Sequence, residues 1–206
     1  MKLFSRRHEK PVFDLFGDLA QLLVSGSDVL SRTLGESPGD RTRTAPRLHE
    51  LSIEGGDLAS RIANRLAAAL VTPAEAEVLH SLAMTLCDTI DAMDRTADLA
   101  ARFGIRSLQP GLLEVCPLIE RAADLTVQAV WKLGDVSGLH DFVGEMRRVE
   151  RHGDQVLRQA RVDLYGSGRP GPELLQERDV AEGLADVLAL FTRISRTADL
   201  LRVKDA

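Results

Sequence analysis

The sequence predicts an all-α protein of about six helices, antiparallel and up-and-down, in two related three-helix units. Three observations predict it. Apolar residues recur at alternating spacings of three and four through nearly all of the 206 residues. No period-two run suited to a strand is longer than about four residues. The segment Arg95-Thr96-Ala97-Asp98-Leu99 recurs letter for letter, close to half a chain later, as Arg196-Thr197-Ala198-Asp199-Leu200.

Each element has its own stripe. Phe13, Phe16, Leu19, Leu23 and Leu30 suggest the first helix. Residues 35–46, with Pro38 and Gly39, then read as a flexible loop. Leu48, Leu51, Leu58, Ile62 and Leu66 mark the second helix. Thr72-Pro73-Ala74-Glu75 reads as the start of the third: Thr72 caps, Pro73 suits the first helical position, and Glu75 reaches back. Leu79, Leu82, Leu86, Met93, Ala97 and Ala100 continue it, and residues 104–111 break it. Leu118, Leu125, Ala129 and Lys132 suggest a short amphipathic fourth helix, ended by residues 134–138. Phe142, Met146, Val149, Gly153, Val156 and Ala160 form the fifth, with a break at 166–172. Val180, Leu184, Val187, Phe191, Ile194, Ala198 and Leu201 form the sixth. The chain is expected to be one domain over 1–206, with pseudo-repeats at roughly 11–104 and 109–204.

Composition narrows the function. The 26 basic and 31 acidic residues leave a net charge of −5, which argues against a nucleic-acid partner. Aromatic residues are 4% of the chain, too few for a base-stacking surface. The two cysteines, Cys87 and Cys116, rule out a disulfide framework or a Cys-rich zinc module. Both fall on helices in apolar surroundings and read as inert buried thiols. No stretch of about 18 apolar residues could span a bilayer, and the start lacks the apolar run of a secretory signal. A cytoplasmic protein is expected. Lys2, Arg6, Arg7 and Lys10 could touch anionic lipid or a partner, though a solvated start is the simpler reading.

The repeated segment belongs to a wider pattern: acid, Arg, any residue, small residue, Asp. Asp94–Asp98, Glu120–Asp124 and Glu150–Asp154 meet it, and Glu54-Gly55-Gly56-Asp57 is a looser relative. Residues at i and i+4 share a helix face, so each pair sets two carboxylates side by side. The small residue lets a neighbouring helix approach. Two such helices facing each other would converge about four carboxylates, which demands a divalent cation or an arginine. Acid pairs also occur on plain solvated faces, and Glu120–Asp124 fits that description best. Glu77–His80 has Glu-x-x-His spacing, but a di-iron bundle needs a second such pair, and His80 reads as a surface or boundary residue. No nucleophile elbow, phosphate loop or dinucleotide fingerprint is present.

Three stretches resemble the PhoU-like superfamily, and within it the Pit accessory proteins, or phosphate transport regulators. They are Phe13-Asp14-Leu15-Phe16-Gly17-Asp18-Leu19-Ala20, the Thr-Pro turn of residues 71–78 followed by Asp88-Thr89-Ile90-Asp91, and the acid-x-x-x-Asp signatures. The resemblance implies two stacked three-helix bundles. It implies a non-enzymatic cytoplasmic regulator, peripheral to the inner face of the membrane, that contacts a low-affinity inorganic phosphate transporter. A homo-oligomer is expected. Related proteins hold metal clusters on the signature helices. Carried over, Asp57, Asp94 and Asp98 would serve the first unit, and Glu150, Asp154 and Asp199 the second, each holding a divalent or trivalent metal ion. Two positions depart from the pattern. Ile53 stands four before Asp57, with Glu54 one step away, and Ser195 stands four before Asp199. Two other functions compete: a phosphoester hydrolase using carboxylate-bound metals, and a structural helical oligomer with no ligand.

Overall fold

The computed structural model describes residues 6–68, 73–133 and 139–204, with side chains described over 12–68, 75–133 and 139–201. The described residues form helices and turns, with no strand among them. Six long helices correspond to the six stripes: α1 (Arg6–Gly35), α3 (Pro46–Ala68), α4 (Pro73–Arg102), α6 (Cys116–Val130), α7 (Leu139–Gly166) and α8 (Gly171–Lys204). Two short helices, α2 (Pro38–Thr44) and α5 (Pro110–Leu113), sit in the connections.

Helices α1, α3 and α4 pack against one another, and so do α6, α7 and α8. The two bundles meet along α4 against α8 and α1 against α6. The stripes become the core. Phe16, Leu19, Leu23 and Leu30 of α1 are buried with Leu48, Leu51 and Ile62 of α3 and Leu82, Leu86 and Met93 of α4. Met146 and Leu157 of α7 and Val180, Leu184, Val187 and Phe191 of α8 join the same buried cluster, so the two bundles share one apolar interior. Buried threonines within the helices return their hydroxyls to the carbonyl one turn back, as Thr89 does to Thr85 and Thr126 to Ala122.

Prolines open the helices at the positions where a missing N–H costs nothing: Pro38, Pro46, Pro73 and Pro110 each stand first in their helix. Glycines close two of them. Gly104 after α4 and Gly168 after α7 have φ of +61° and +69°, the left-handed conformation that ends a helix cheaply. The expected caps at Thr72 and the break at 134–138 lie outside the described residues.

The connection at 35–46 is not the flexible loop its composition suggests. It holds α2, fixed by Arg41, which is 1% exposed. The Arg41 guanidinium donates to the carbonyls of Thr33 and Leu34, both at 3.0 Å, and to that of Ile105. The first two belong to the last turn of α1, whose carbonyls have no partner within the helix. A polar, non-periodic segment is thus ordered by one buried cation at a helix C-terminus. The α4–α5 connection is tied down similarly. Glu177 of α8 is fully buried, accepts the Gln109 backbone N–H at 3.0 Å, and pairs with Arg169 from the α7–α8 turn.

Candidate functional site

Periodicity places the signature acids on the facing surfaces of two helix pairs, α3–α4 and α7–α8. Close approach within each pair comes from small residues. A Cβ on Gly153 would lie 2.5 Å from Leu188 Cδ1, so α8 packs directly on the α7 backbone there. Gly153, Ala97 and Ala198, each directly before a signature Asp, are buried. On α3 the contact belongs to Gly55, whose Cβ would meet Ile90 at 3.1 Å, while Gly56 faces open space.

In the α3–α4 pair, Asp94 Oδ2 lies 3.0 Å from His49 Nδ1, and Asp91 accepts the Ser52 hydroxyl at 2.6 Å. Asp98 instead accepts Arg102 Nε of its own helix at 2.6 Å. Glu54 and Asp57 are exposed. The two inter-helix contacts fix the antiparallel register. Carried along, they set Asp57 level with Leu86, about 18 Å along the axis from Asp98 at roughly 1.5 Å per residue. The expected convergence of Asp57 with Asp98 is therefore not formed. A shared face does not imply a shared height.

The α7–α8 pair behaves differently. Glu150 and Asp199 line one cleft of about 340 Å³, together with Arg147, Arg151, Thr192, Ser195 and Arg196, over Val143 and Met146. Arg196 Nη2 lies 3.6 Å from Glu150 Oε1. The packing of Gly153 on Leu188 places Asp154 level with Val187, about 18 Å along the axis from Asp199. Asp154 is exposed outside the cleft, so Asp199 shares the cleft with Glu150 rather than with Asp154.

Glu54, Asp57, Asp94, Asp98, Glu150, Asp154 and Asp199 do not assemble into a cage. Among the described residues no three Asp, Glu, His or Cys side chains come together as a cation site. Oxygen-loving cations take six or more ligands, with carboxylates supplying the charge and carbonyls or waters completing the shell. Here Asp94 meets a histidine while Asp98 and Glu150 meet arginines, and as placed among the described residues these acids do not fit a metal centre. Glu77 and His80 are both exposed at the start of α4.

His49 and Asp94 form a His–carboxylate pair with Ser52 one turn away on α3. The Ser52 hydroxyl donates to Asp91, so this pair does not activate it by taking its proton. Burial pushes the Cys87 thiol up to about 11 and the Cys116 thiol up to about 12, with nearby carboxylates adding to it. Both stay protonated and unreactive near neutral pH. Arg41, Arg169 and Glu177, the polar residues that organise the connections, carry no local signal in the sequence, because their partners are backbone groups or a side chain across a turn, outside any helical spacing.

A scan against family models finds no match. The chain is 24% identical over 161 residues to a protein from Rhizobium meliloti (strain 1021) described as "Putative pit accessory protein", covering 76% of this chain and 75% of that one. Among solved structures it is similar to a PhoU-like protein from Shewanella oneidensis MR-1, with a TM-score of 0.75, 17% identity, and coverage of 96% of this chain and 99% of that one. A second, described as a "putative PhoU-like phosphate regulatory protein" from the same organism, gives a TM-score of 0.70 at 18% identity, covering 96% and 98%. The chain has the PhoU-like fold over nearly its whole length, and its sequence is similar to that of a Pit accessory protein, as its motifs resemble.

Proposed function

We propose that this protein is a regulatory accessory factor of inorganic phosphate transport, acting by contact with a transporter at the inner face of the membrane rather than by chemistry. The observation that carries this reading is the similarity to a Pit accessory protein across three quarters of both chains. It runs along a fold shared with PhoU-like proteins, one of them described as phosphate regulatory. The site geometry is compatible: a His–Asp pair without an activated nucleophile, and thiols held protonated. Among the described residues no helix is long and apolar enough to cross a membrane, so the contact would be made from its surface.

The test is cellular. Deleting the gene in its native host should change the rate of labelled phosphate uptake. Affinity capture of the protein from detergent-solubilised native membranes should recover a phosphate transporter. Unchanged uptake together with capture of no phosphate transporter would overturn the reading. Turnover of a model phosphoester by purified protein, lost on replacing Asp94 or Glu150, would favour a hydrolase instead.

A further inference from the structure

We propose that the α7–α8 cleft is a binding site for a phosphate group, held by Arg147, Arg151 and Arg196. The internal repeat relates the two helix pairs position by position. Aligned on the repeated Arg-Thr-Ala-Asp-Leu segments, Asp91 and Asp94 of α4 correspond to Thr192 and Ser195 of α8, and Arg95 to Arg196. Aligned on Asp57 and Asp154, Glu50 and Glu54 of α3 correspond to Arg147 and Arg151 of α7, and Ile53 to Glu150. Four acidic positions have therefore become hydroxyls or arginines, while one carboxylate has been gained. The face that is acidic in the first bundle carries three guanidiniums in the second.

The geometry gathers these changes into one place. All three arginines, with Thr192 and Ser195, line the same cleft. Arg147 and Arg151 stand at i and i+4, where like charges repel unless an anion sits between them. Among the described residues neither has an ion-pair partner, whereas Arg148, on the same turn, is paired with Glu145. Arg196 lies on the opposite wall, and its one ion pair among the described residues is the 3.6 Å contact with Glu150. Guanidinium forks on two facing helices suit the oxygens of a phosphate, which accept paired N–H donors from several directions. The volume of about 340 Å³ holds more than the four oxygens of orthophosphate, so the group can be free or carried as a monoester. Glu150 and Asp199 oppose the anion. Three cations against two carboxylates leave the balance positive, and Glu150 also orients Arg196.

This placement reverses the sign expected of a metal site, and the reversal is testable on purified protein without reference to transport. Calorimetric titration at low ionic strength would use inorganic phosphate and phenyl phosphate as probes, with chloride at matched ionic strength as the control. Saturable binding of either supports the site, and the tighter of the two identifies the source of the group. Arg147→Gln, Arg151→Gln and Arg196→Gln, all exposed, should each weaken binding about tenfold. Arg61→Gln, in the separate α1–α3 cleft beside Asp14 and Asp18, should leave it unchanged. Glu150→Gln should tighten phosphate binding several-fold. Absence of saturable binding, indifference to all three arginine changes, or weaker binding in Glu150→Gln would each overturn the proposal. So would Mn²⁺ binding that is lost in Glu150→Gln. The regulatory reading fails separately, on uptake and transporter capture in the cell.

Discussion

Arg41 is the largest fully buried side chain among the described residues, and it is charged. Its position is tolerable because three backbone carbonyls surround the guanidinium, two of them at the negative end of α1. Removing it takes this donor from the Leu34 and Ile105 carbonyls and leaves Thr33 with only the 3.4 Å bond from the Glu36 N–H. Arg41→Ala is expected to cost about 3 kcal/mol or more in urea unfolding, and Arg41→Lys nearly as much, since one ammonium cannot span three acceptors in the same plane. Glu177 poses the complementary case. Glu177→Gln leaves Arg169 facing a neutral amide in a buried setting, and a loss of about 2–3 kcal/mol is expected. The two thiols add a pH dependence. Their folded-state values are raised to about 11 and about 12 from 9.0, so protonated thiols favour the folded state. That contribution is whole below about pH 9 and is lost as pH climbs through 11 to 12. Stability should fall over this alkaline window, and less steeply in Cys116→Ala after correction for its neutral-pH stability. Alkylation by iodoacetamide at pH 8 should reach neither thiol until the chain is unfolded.

At the scale of the element, the packing of α7 on α8 depends on one missing side chain. Gly153→Ala would place a Cβ 2.5 Å from Leu188 Cδ1, and Leu188 must move. Overpacking costs about 1–3 kcal/mol, and alanine's better helix propensity returns about 1 kcal/mol, so a net loss of about 1 kcal/mol is expected. A cycle with Leu188→Ala should show favourable coupling, because the smaller side chain accepts the new methyl group. Gly56, also inside a helix and also before a signature Asp, meets nothing within 4 Å. Gly56→Ala should therefore stabilise by about 0.5–1 kcal/mol, the propensity gain alone. The sequence showed both glycines as the small residue before Asp and could not separate them. It did show which helices exist, because burial on one face imposes a period that composition cannot hide. It missed α2, since a helix of PGDRTRT has no apolar stripe and owes its order to Arg41. Site residues were legible as faces only. Period assigns Asp57 and Asp98 to facing surfaces, but the height of one helix against another is set by packing contacts such as Gly55 on Ile90, which leave no periodic trace.

Across the whole molecule, the junction between bundles decides how the protein unfolds. Gly183 of α8 sits against Thr96 of α4, where a Cβ would fall 2.4 Å from the hydroxyl oxygen and 3.1 Å from the methyl carbon. Thr96 is itself buried and donates to the Ala92 carbonyl, so its side chain has little freedom to withdraw. Neither bundle covers its own apolar faces. The buried cluster runs without interruption from Phe16 and Leu82 to Val180 and Phe191, through α4 against α8. Splitting the chain would expose that shared surface, and each half would keep only part of the core that stabilises it. Unfolding is therefore expected to be a single cooperative transition. Trp131, the one tryptophan, lies at the end of α6 against Gly17 of α1 and reports on the other line of contact between the bundles. Its fluorescence should change at the same urea concentration as the helical circular dichroism signal. Gly183→Val should lower that midpoint for both probes together. Two separated transitions, with tryptophan fluorescence changing before helix loss, would mean that the bundles are independent and the core is not shared.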